Sequence, residues 1–441
     1  MAEFLPLAKN SPFLAAYERP EAMAIGDSIF NGVRSATING GMARWSPPAQ
    51  LARDRGWPMR LPDYRRPVLF DLEREVREGV DLKRLRDRIL ENADRWIEER
   101  GEWSAQTFFD NVSIAGAVYG DLHDATAGHA RAQIPFLLER LRNSRDLDFA
   151  AAAQLWFFLN MAFLLNPSGH PELDDLTPLE QVASRKPKRL FINIGSNEGL
   201  FRIGITANYS RANREQIARI PDLAKTLAEA LDAHCKDVER IYFNLLVRPR
   251  TLGNLAPRED ADMYEYPGAG YFDRYVGRLA MQNGMTGEQM KGFDKEIGKV
   301  NDATKTAMSA VLGDRIRFVD TYKTSTAADG KHYGNARMVE VEAGASRYRL
   351  SNMPFAAGPF GFRQGGLFGL DNMHPTNVGY ALLAEAMAKE VVAGEGGAKP
   401  AISPQSAFDA DTLLQDPPRS WDALNFLLGL IADLTHTRVG L

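Results

Sequence analysis

Five short apolar runs, each bounded by polar residues, recur along the 441-residue chain. Runs of this length without clear alternation are typical of strands that are buried on both faces of a parallel sheet. They predict strands at 22–26, 107–112, 189–194, 240–247 and 316–319. Segments with helical patterns separate them and predict helices at 70–100, which is charged with apolar residues at helical intervals, and at 131–141, 148–165 and 222–233. Strands that alternate with helices predict an α/β fold built from right-handed βαβ units.

The spacing of the predicted strands indicates two insertions. About 80 residues separate the first two strands, far more than a crossover helix needs, so residues 33–105 are expected to include an insertion over one end of the sheet. A second insertion is expected at 248–314. The Gly- and Phe-rich segment 353–370 has no clean period and predicts a loop with aromatic anchors, with a lipid pocket as the alternative.

The C-terminal part of the chain differs from the rest. Residues 1–396 are expected to form one domain, and 397–441 a linker that ends in an amphipathic helix at 420–434. That helix is expected to dock on its own domain, and self-association or contact with a membrane surface are the alternatives. Because the helix lacks Lys and Arg, the membrane alternative is the weaker one.

The composition narrows the classes of partner. A formal net charge of −4 and a pI near 6.1 provide no basic field, so no nucleic acid partner is expected. The single cysteine, Cys235, excludes an internal disulfide framework. No run of eighteen apolar residues occurs, so no membrane-spanning helix is expected. The N-terminus lacks the pattern of a signal peptide, which predicts a cytoplasmic protein.

Polar residues follow the predicted strands. Ser28 follows the first strand, Gly116 the second and Asn197 the third, while Asp371 and His374 precede a helix-like segment at 379–391. Since ligands bind at the carboxyl ends of the strands in open parallel sheets, these positions are candidates for one site.

These residue types fit the needs of a serine hydrolase. A serine hydroxyl becomes a nucleophile when an imidazole removes its proton, and a carboxylate must orient that imidazole. His374 and Asp371, three positions apart before a helix, are candidates for the base and its orienting acid, and Ser28 for the nucleophile. Candidate oxyanion donors are the backbone N–H groups of Ser28 and Gly116 and the side-chain amide of Asn197.

In its order of motifs the chain resembles the SGNH hydrolases, also called GDSL lipases and esterases. The similarity rests on Gly26-Asp27-Ser28 with Gly32, Gly116, Gly195-Ser196-Asn197, and Asp371-x-x-His374-Pro375. It implies a three-layer α/β/α sandwich with a flavodoxin-like parallel sheet, here elaborated by helical insertions. It also implies the catalytic and oxyanion roles given above. Glu198 departs from the family pattern, which has aspartate there, and this puts the geometry of its loop in question.

Each of these residues also has a structural interpretation. Ser28 and Asn197 are residue types that cap helices, Gly116 is a residue type of tight turns with Gly120 nearby, and His374 alone would fit a core or surface position. The other histidines lack the spacing of a zinc site, so no metal is expected.

The sequence therefore predicts hydrolysis of a lipid, acyl or acetyl ester through an acyl-enzyme, with no cofactor. Two alternatives stay open: an acyltransferase that uses the same serine, and a catalytically silent protein of this fold that binds lipid, glycan or protein.

Overall fold

The computed structural model describes residues 4–15, 18–79, 81–99, 103–257, 265–277, 284–358 and 361–418. The strands are β1 (Ala22–Gly26), β2 (Arg189–Asn193), β3 (Arg240–Asn244), β4 (Leu255–Ala256), β5 (Arg274–Gly277), β6 (Gly284–Thr286), β7 (Ile316–Val319), β8 (Val339–Ala343), β9 (Ser346–Leu350), β10 (Ala356–Gly358) and β11 (Gly361–Gln364). The α-helices are α1 (Pro12–Ala15), α2 (Ser28–Asn31), α3 (Gly40–Ala43), α4 (Pro47–Arg55), α5 (Leu72–Arg77), α6 (Leu82–Glu98), α7 (Asp121–Asp124), α8 (Ala127–Asn143), α9 (Phe149–Leu165), α10 (Pro178–Arg185), α11 (Phe201–Thr206), α12 (Arg211–Ala218), α13 (Ile220–His234), α14 (Gly287–Leu312), α15 (Thr321–Ala327), α16 (Gly330–Tyr333), α17 (Asn377–Glu395), α18 (Pro404–Asp409) and α19 (Thr412–Gln415).

A four-stranded parallel sheet, in the order β1-β2-β3-β7, forms the centre of the fold. Successive side chains of a strand point to opposite faces, and both faces are buried here. On one face Met23 and Ile25 join the larger hydrophobic cluster, whereas on the other Ala22 and Ala24 pack with Met387 of α17. Helices therefore cover both faces, and the predicted three-layer α/β/α architecture is confirmed.

The second predicted strand, 107–112, is wrong as a strand, although its position beside β1 is right. Ala24 donates its N–H to the carbonyl of Asp110 at 2.8 Å and accepts from the N–H of Val112 at 2.9 Å, so one residue, Asn111, forms a parallel bridge with β1. The ladder does not extend toward residue 107, because the N–H of Asp110 donates to the carbonyl of Arg60 at 2.7 Å and not to β1. This segment lies at the edge of the sheet opposite β2, which matches the predicted flavodoxin-like order.

Most predicted helices are present, with different limits. The predicted helix 70–100 is two helices, α5 and α6, because Gly79 takes a left-handed conformation with φ of +76° and Asp81 then caps α6. The predicted helices 131–141, 148–165 and 222–233 correspond to α8, α9 and α13, and the segment at 379–391 lies within α17.

The predicted insertions contain their own secondary structure. The first contains α3 to α6, and α6 packs against α8. The second contains β4 to β6 and the whole of α14, which packs along α13. The predicted loop at 353–370 includes a short antiparallel pair, β10 and β11, so its description as a loop throughout was wrong.

Residues beyond α17 return to the domain. The short helices α18 and α19 bury Phe408 and Leu413, and the carboxylate of Asp411 lies 3.1 Å from the guanidinium of Arg34. The predicted amphipathic helix at 420–434 lies outside the described residues. In the described ranges, no helix combines the length and the apolar character needed to cross a bilayer.

Replacing Asp411 with alanine is expected to lower the free energy of unfolding by about 3 kcal/mol, because it removes one partner of a buried ion pair. The change also removes the acceptor of the Asn377 N–H, which lies 2.8 Å from Asp411 Oδ2. Chemical denaturation measures the effect. Asp409→Ala, at an exposed position of the same segment, is the control. Equal stability of the two variants would contradict the prediction.

Candidate active site

Ser28 stands at the point where β1 ends and α2 begins. Gly26, the last residue of β1, lies so close to β2 that a Cβ on it would meet the Asn193 carbonyl oxygen at 2.1 Å. Asp27 is the N-cap of α2 and accepts from the N–H of Ile29 at 3.0 Å. Because Asp27 performs the capping, the hydroxyl of Ser28 is left for other contacts, and the interpretation of Ser28 as the cap is wrong.

The imidazole of His374, a residue near the other end of the chain, lies beside this hydroxyl. Its Nε2 lies 2.9 Å from Ser28 Oγ, and its Nδ1 lies 2.8 Å from Asp371 Oδ2. All three side chains are nearly buried. The structure therefore brings together the three residues that the sequence predicts as nucleophile, base and orienting acid, in the hydrogen-bonded order that such a triad needs.

Backbone amides hold the carboxylate of Asp371 in place. Oδ1 accepts from the N–H groups of Met373 and His374, and Oδ2 accepts from the N–H of Ala36 at 2.6 Å. Burial by itself would raise the pKa of Asp371, but attraction to His374 and these hydrogen bonds outweigh it and lower the pKa below its usual range. The acid is therefore ionised and fixed in orientation.

The loop that carries His374 is anchored on both sides. The carbonyl of His374 accepts from the N–H of Gly369 at 2.8 Å, and Pro375 forms a bridge with Phe368. Thr376 then caps α17 by accepting from the N–H of Gly379. Because the ring is held between a bridge and a helix start, its position does not depend on Asp371 alone.

The predicted oxyanion donors lie on neighbouring loops. The N–H of Ser28 donates to no other residue in the described part of the chain. Gly116 has a φ of +81°, which favours glycine, and Asn197 Nδ2 donates to the carbonyl of Ala117 at 2.8 Å. One N–H of the Asn197 side-chain amide thus links the two loops. The second N–H of the same amide is the candidate oxyanion donor.

Glu198, the departure from the family pattern, has a structural contact. Its Oε1 accepts from the N–H of Tyr119 at 3.0 Å, which ties the loop after β2 to the segment that contains Gly116. Burial raises the pKa of this carboxyl, although the bond from Tyr119 opposes the shift. The longer side chain is therefore accommodated by a contact between the same two loops.

A buried polar chain beneath the nucleophile was not predicted. Asn193 donates to Asp27 Oδ1 at 2.7 Å and accepts from Asn244 at 3.0 Å. Burial raises the pKa of Asp27 to about 7. A signal was present in the sequence, because β2 and β3 each end on an asparagine directly after an apolar run.

Asp27 is expected to make stability depend on pH. Its folded pKa of about 7 exceeds the value of about 3.9 for an unfolded chain, so its contribution to stability is complete below about pH 4 and is lost as the pH rises through 7. In Asp27→Asn the amide oxygen still serves Ile29 and Asn193 but no longer titrates. The wild type should therefore lose free energy of unfolding relative to the variant between about pH 4 and 7.

Denaturant titration at both pH values measures this change. Asp314→Asn, at an exposed position, is the control for a general effect of charge. A difference between wild type and Asp27→Asn that stays constant with pH would contradict the assignment.

A cavity of about 110 Å³ opens beside Ser28 and His374. Its walls are mainly apolar and include Phe368 and Phe201, and the ring of Phe201 lies 5.6 Å from the imidazole of His374. Phe368 comes from the segment 353–370, so part of this segment lines a pocket while Phe355 packs against Phe362 within it. Gly116 and Asn197 are not among the described residues that line the cavity, but Ser196, the neighbour of Asn197, is.

Among the described residues, no group of three or more His, Cys, Asp or Glu side chains is arranged to bind a metal ion. Comparison of the chain with protein-family models, with curated proteins and with solved structures gave no match.

Proposed function

We propose that the protein is a serine hydrolase of the SGNH type that cleaves carboxylic esters through an acyl-enzyme. The observation that carries the proposal is the chain of two hydrogen bonds from Ser28 to His374 and from His374 to Asp371, at 2.9 and 2.8 Å, beside an apolar cavity. The resemblance of the sequence motifs to that family is an independent support.

The geometry supports a two-step route. His374 Nε2 takes the proton of Ser28 as Oγ attacks the ester carbonyl, and Asp371 stabilises the imidazolium that forms. The imidazolium then protonates the departing alkoxide, which leaves as the alcohol, and the acyl group stays on Ser28. A water molecule, deprotonated by His374, attacks the acyl carbonyl and releases the acid and the free serine.

The oxyanion of each tetrahedral intermediate needs donors that are already in place. The N–H of Ser28, which has no acceptor among the described residues, is the best supported donor. The N–H of Gly116 and the second N–H of the Asn197 amide are proposed to complete the site, because hydrogen bonds join their two loops and Ser196, next to Asn197, lines the same cavity as Ser28.

Replacing Asn197 with alanine is expected to lower kcat by about 10²- to 10³-fold, the usual cost of losing one oxyanion donor, with a smaller change in KM. Steady-state hydrolysis of p-nitrophenyl esters measures both constants. Asn335→Ala, at an exposed position, is the control. If Asn197→Ala retained kcat, the amide would be a link between loops and not an oxyanion donor.

A fluorophosphonate probe tests the proposal as a whole. Such probes phosphonylate activated serines, so the folded wild type is expected to be labelled at Ser28, and Ser28→Ala and His374→Ala are expected to resist labelling. Peptide mass mapping identifies the site. Absence of labelling in folded wild type would overturn the proposal and favour the catalytically silent binding protein.

A further inference from the structure

The cavity beside Ser28 extends across the carboxyl ends of the whole sheet. Its lining includes Ile29, which follows β1, Phe201, which follows β2, Val247, which follows β3, and Thr324 of α15, which follows β7. Neighbouring strands lie about 4.8 Å apart, so the lining covers three such steps in the direction away from the nucleophile. The site is therefore elongated, with Ser28 near one end and α15 at the other.

The lining carries no fixed charge. Of the described residues that line the cavity, His374 is the one with a titratable side chain, and none is Lys, Arg, Asp or Glu. A charged group placed along this cavity would lose its hydration without gaining a partner. The part of the ligand that enters must therefore be neutral.

The hydroxyl groups near α15 are already used. Thr324 donates to the carbonyl of Asp320 at 3.0 Å, Ser325 to that of Tyr322 at 3.1 Å, and Thr251 to that of Arg248 at 2.6 Å. Thr321 donates to the carbonyl of Leu245. Since these hydrogens point to the backbone, the far end offers the ligand methyl groups and no spare donor from these four residues, which suits hydrocarbon.

We propose that this cavity binds the acyl part of the ester as an unbranched aliphatic chain of medium length, from butanoyl to octanoyl, directed from Ser28 toward α15. The inference rests on the proposed function and adds the substrate class. A volume of about 110 Å³ exceeds the needs of an acetyl group. The distance from Ser28 to α15, about three strand spacings, limits the length of the acyl chain that the cavity can enclose.

Ala328 sets the length that the cavity accepts. It is the C-cap of α15 and lines the cavity, whereas its neighbour Ala327 is exposed to solvent. A larger side chain at Ala328 would occupy the space of the terminal methylene groups. The same change at Ala327 would project into water.

A series of p-nitrophenyl esters from acetate to palmitate tests the chain length in the wild type. The value of kcat/KM is expected to rise by about fourfold per methylene from acetate to hexanoate, which is the effect of burying one methylene group, and to fall beyond octanoate. A maximum at acetate or at palmitate, with Ser28 still required for hydrolysis, would overturn the inference and leave the proposed function intact.

Two substitutions test the position of the chain. Ala328→Phe is expected to lower kcat/KM for hexanoate relative to acetate by about tenfold or more, whereas Ala327→Phe should leave this ratio as in the wild type. Thermal unfolding checks that both variants fold. An unchanged ratio in folded Ala328→Phe would overturn the inference; if that variant does not fold, the wild-type series decides.

A binding measurement separates the inference from catalysis. Octanoate and acetate are the acids that deacylation of the corresponding esters would release. Calorimetry on Ser28→Ala, which retains the cavity, is expected to detect binding of octanoate and no binding of acetate. Octanoate binding without turnover in the wild type would sustain the cavity assignment and remove the proposed activity. Ester turnover without octanoate binding would sustain the proposed activity and overturn the cavity assignment.

Discussion

Ester hydrolysis is expected to fall by about 10⁶-fold in kcat when Ser28 is replaced by alanine, because the variant has no oxygen to form the acyl-enzyme. The loss should appear in kcat, since the cavity that receives the substrate is unchanged. The change removes one oxygen from a side chain that is 7% exposed, so the fold should persist. Steady-state kinetics together with near-ultraviolet circular dichroism measure activity and fold on the same sample.

Two comparisons make the Ser28→Ala result specific. Ser346→Ala removes a hydroxyl from an exposed position of β9 and is expected to keep wild-type turnover. His374→Ala is expected to lose about as much activity as Ser28→Ala, and the double variant about as much as either, because the two residues act as a unit. Losses that multiplied in the double variant would show that they act separately.

Replacing Asp371 with asparagine is expected to lower kcat by about 10⁴-fold while the fold is retained. Two oxygens of Asp371 accept from three backbone N–H groups and from His374 Nδ1. An amide has one oxygen, so in Asp371→Asn an NH₂ group would replace one of the two accepting oxygens. If that group replaces Oδ2, it donates to Nδ1 of His374. The imidazole would then favour the tautomer with its proton on Nε2, which is unable to accept the proton of Ser28.

A second Asp-x-x-His pair in the chain provides the matched control. Asp329 lies 2.9 Å from His332 Nδ1, but the Nε2 of that ring faces the hydroxyl of Tyr275 at 2.8 Å, and all three side chains are fully buried. Asp329→Asn is therefore expected to lower the free energy of unfolding and to keep turnover per folded molecule. A 10⁴-fold loss of turnover in folded Asp329→Asn, or its absence in Asp371→Asn, would contradict the assignment of the acid.

This pair also shows the limit of motif spacing. Asp371 and His374 are identical in type and separation to Asp329 and His332, and both pairs form the same hydrogen bond. What differs is the group on the far side of the ring, a serine in one case and a tyrosine in the other. That group comes from a distant part of the chain, so spacing within a motif does not identify it.

The strands were predictable where the apolar runs were long and unbroken. At 107–112 the run has the composition of a strand, yet the backbone N–H of Asp110 donates to Arg60 and not to β1, and one bridge with β1 remains. The helix at 70–100 has an even pattern of charge, and a single left-handed glycine divides it. In both cases a local conformation overrides the average character of the segment.

By itself, the sequence determined the α/β class and the candidates Ser28, His374 and Asp371, because periodicity and short motifs are local properties of the chain. The order of the sheet was an expectation from the resemblance to the SGNH hydrolases. The tertiary structure alone showed that Asp27 is the cap of α2, that a tyrosine and not a serine faces His332, and that an apolar cavity runs from Ser28 to α15. Those features depend on contacts between residues that lie up to 346 positions apart, as Ser28 and His374 do. Such contacts form only when the packed core brings the strand ends together.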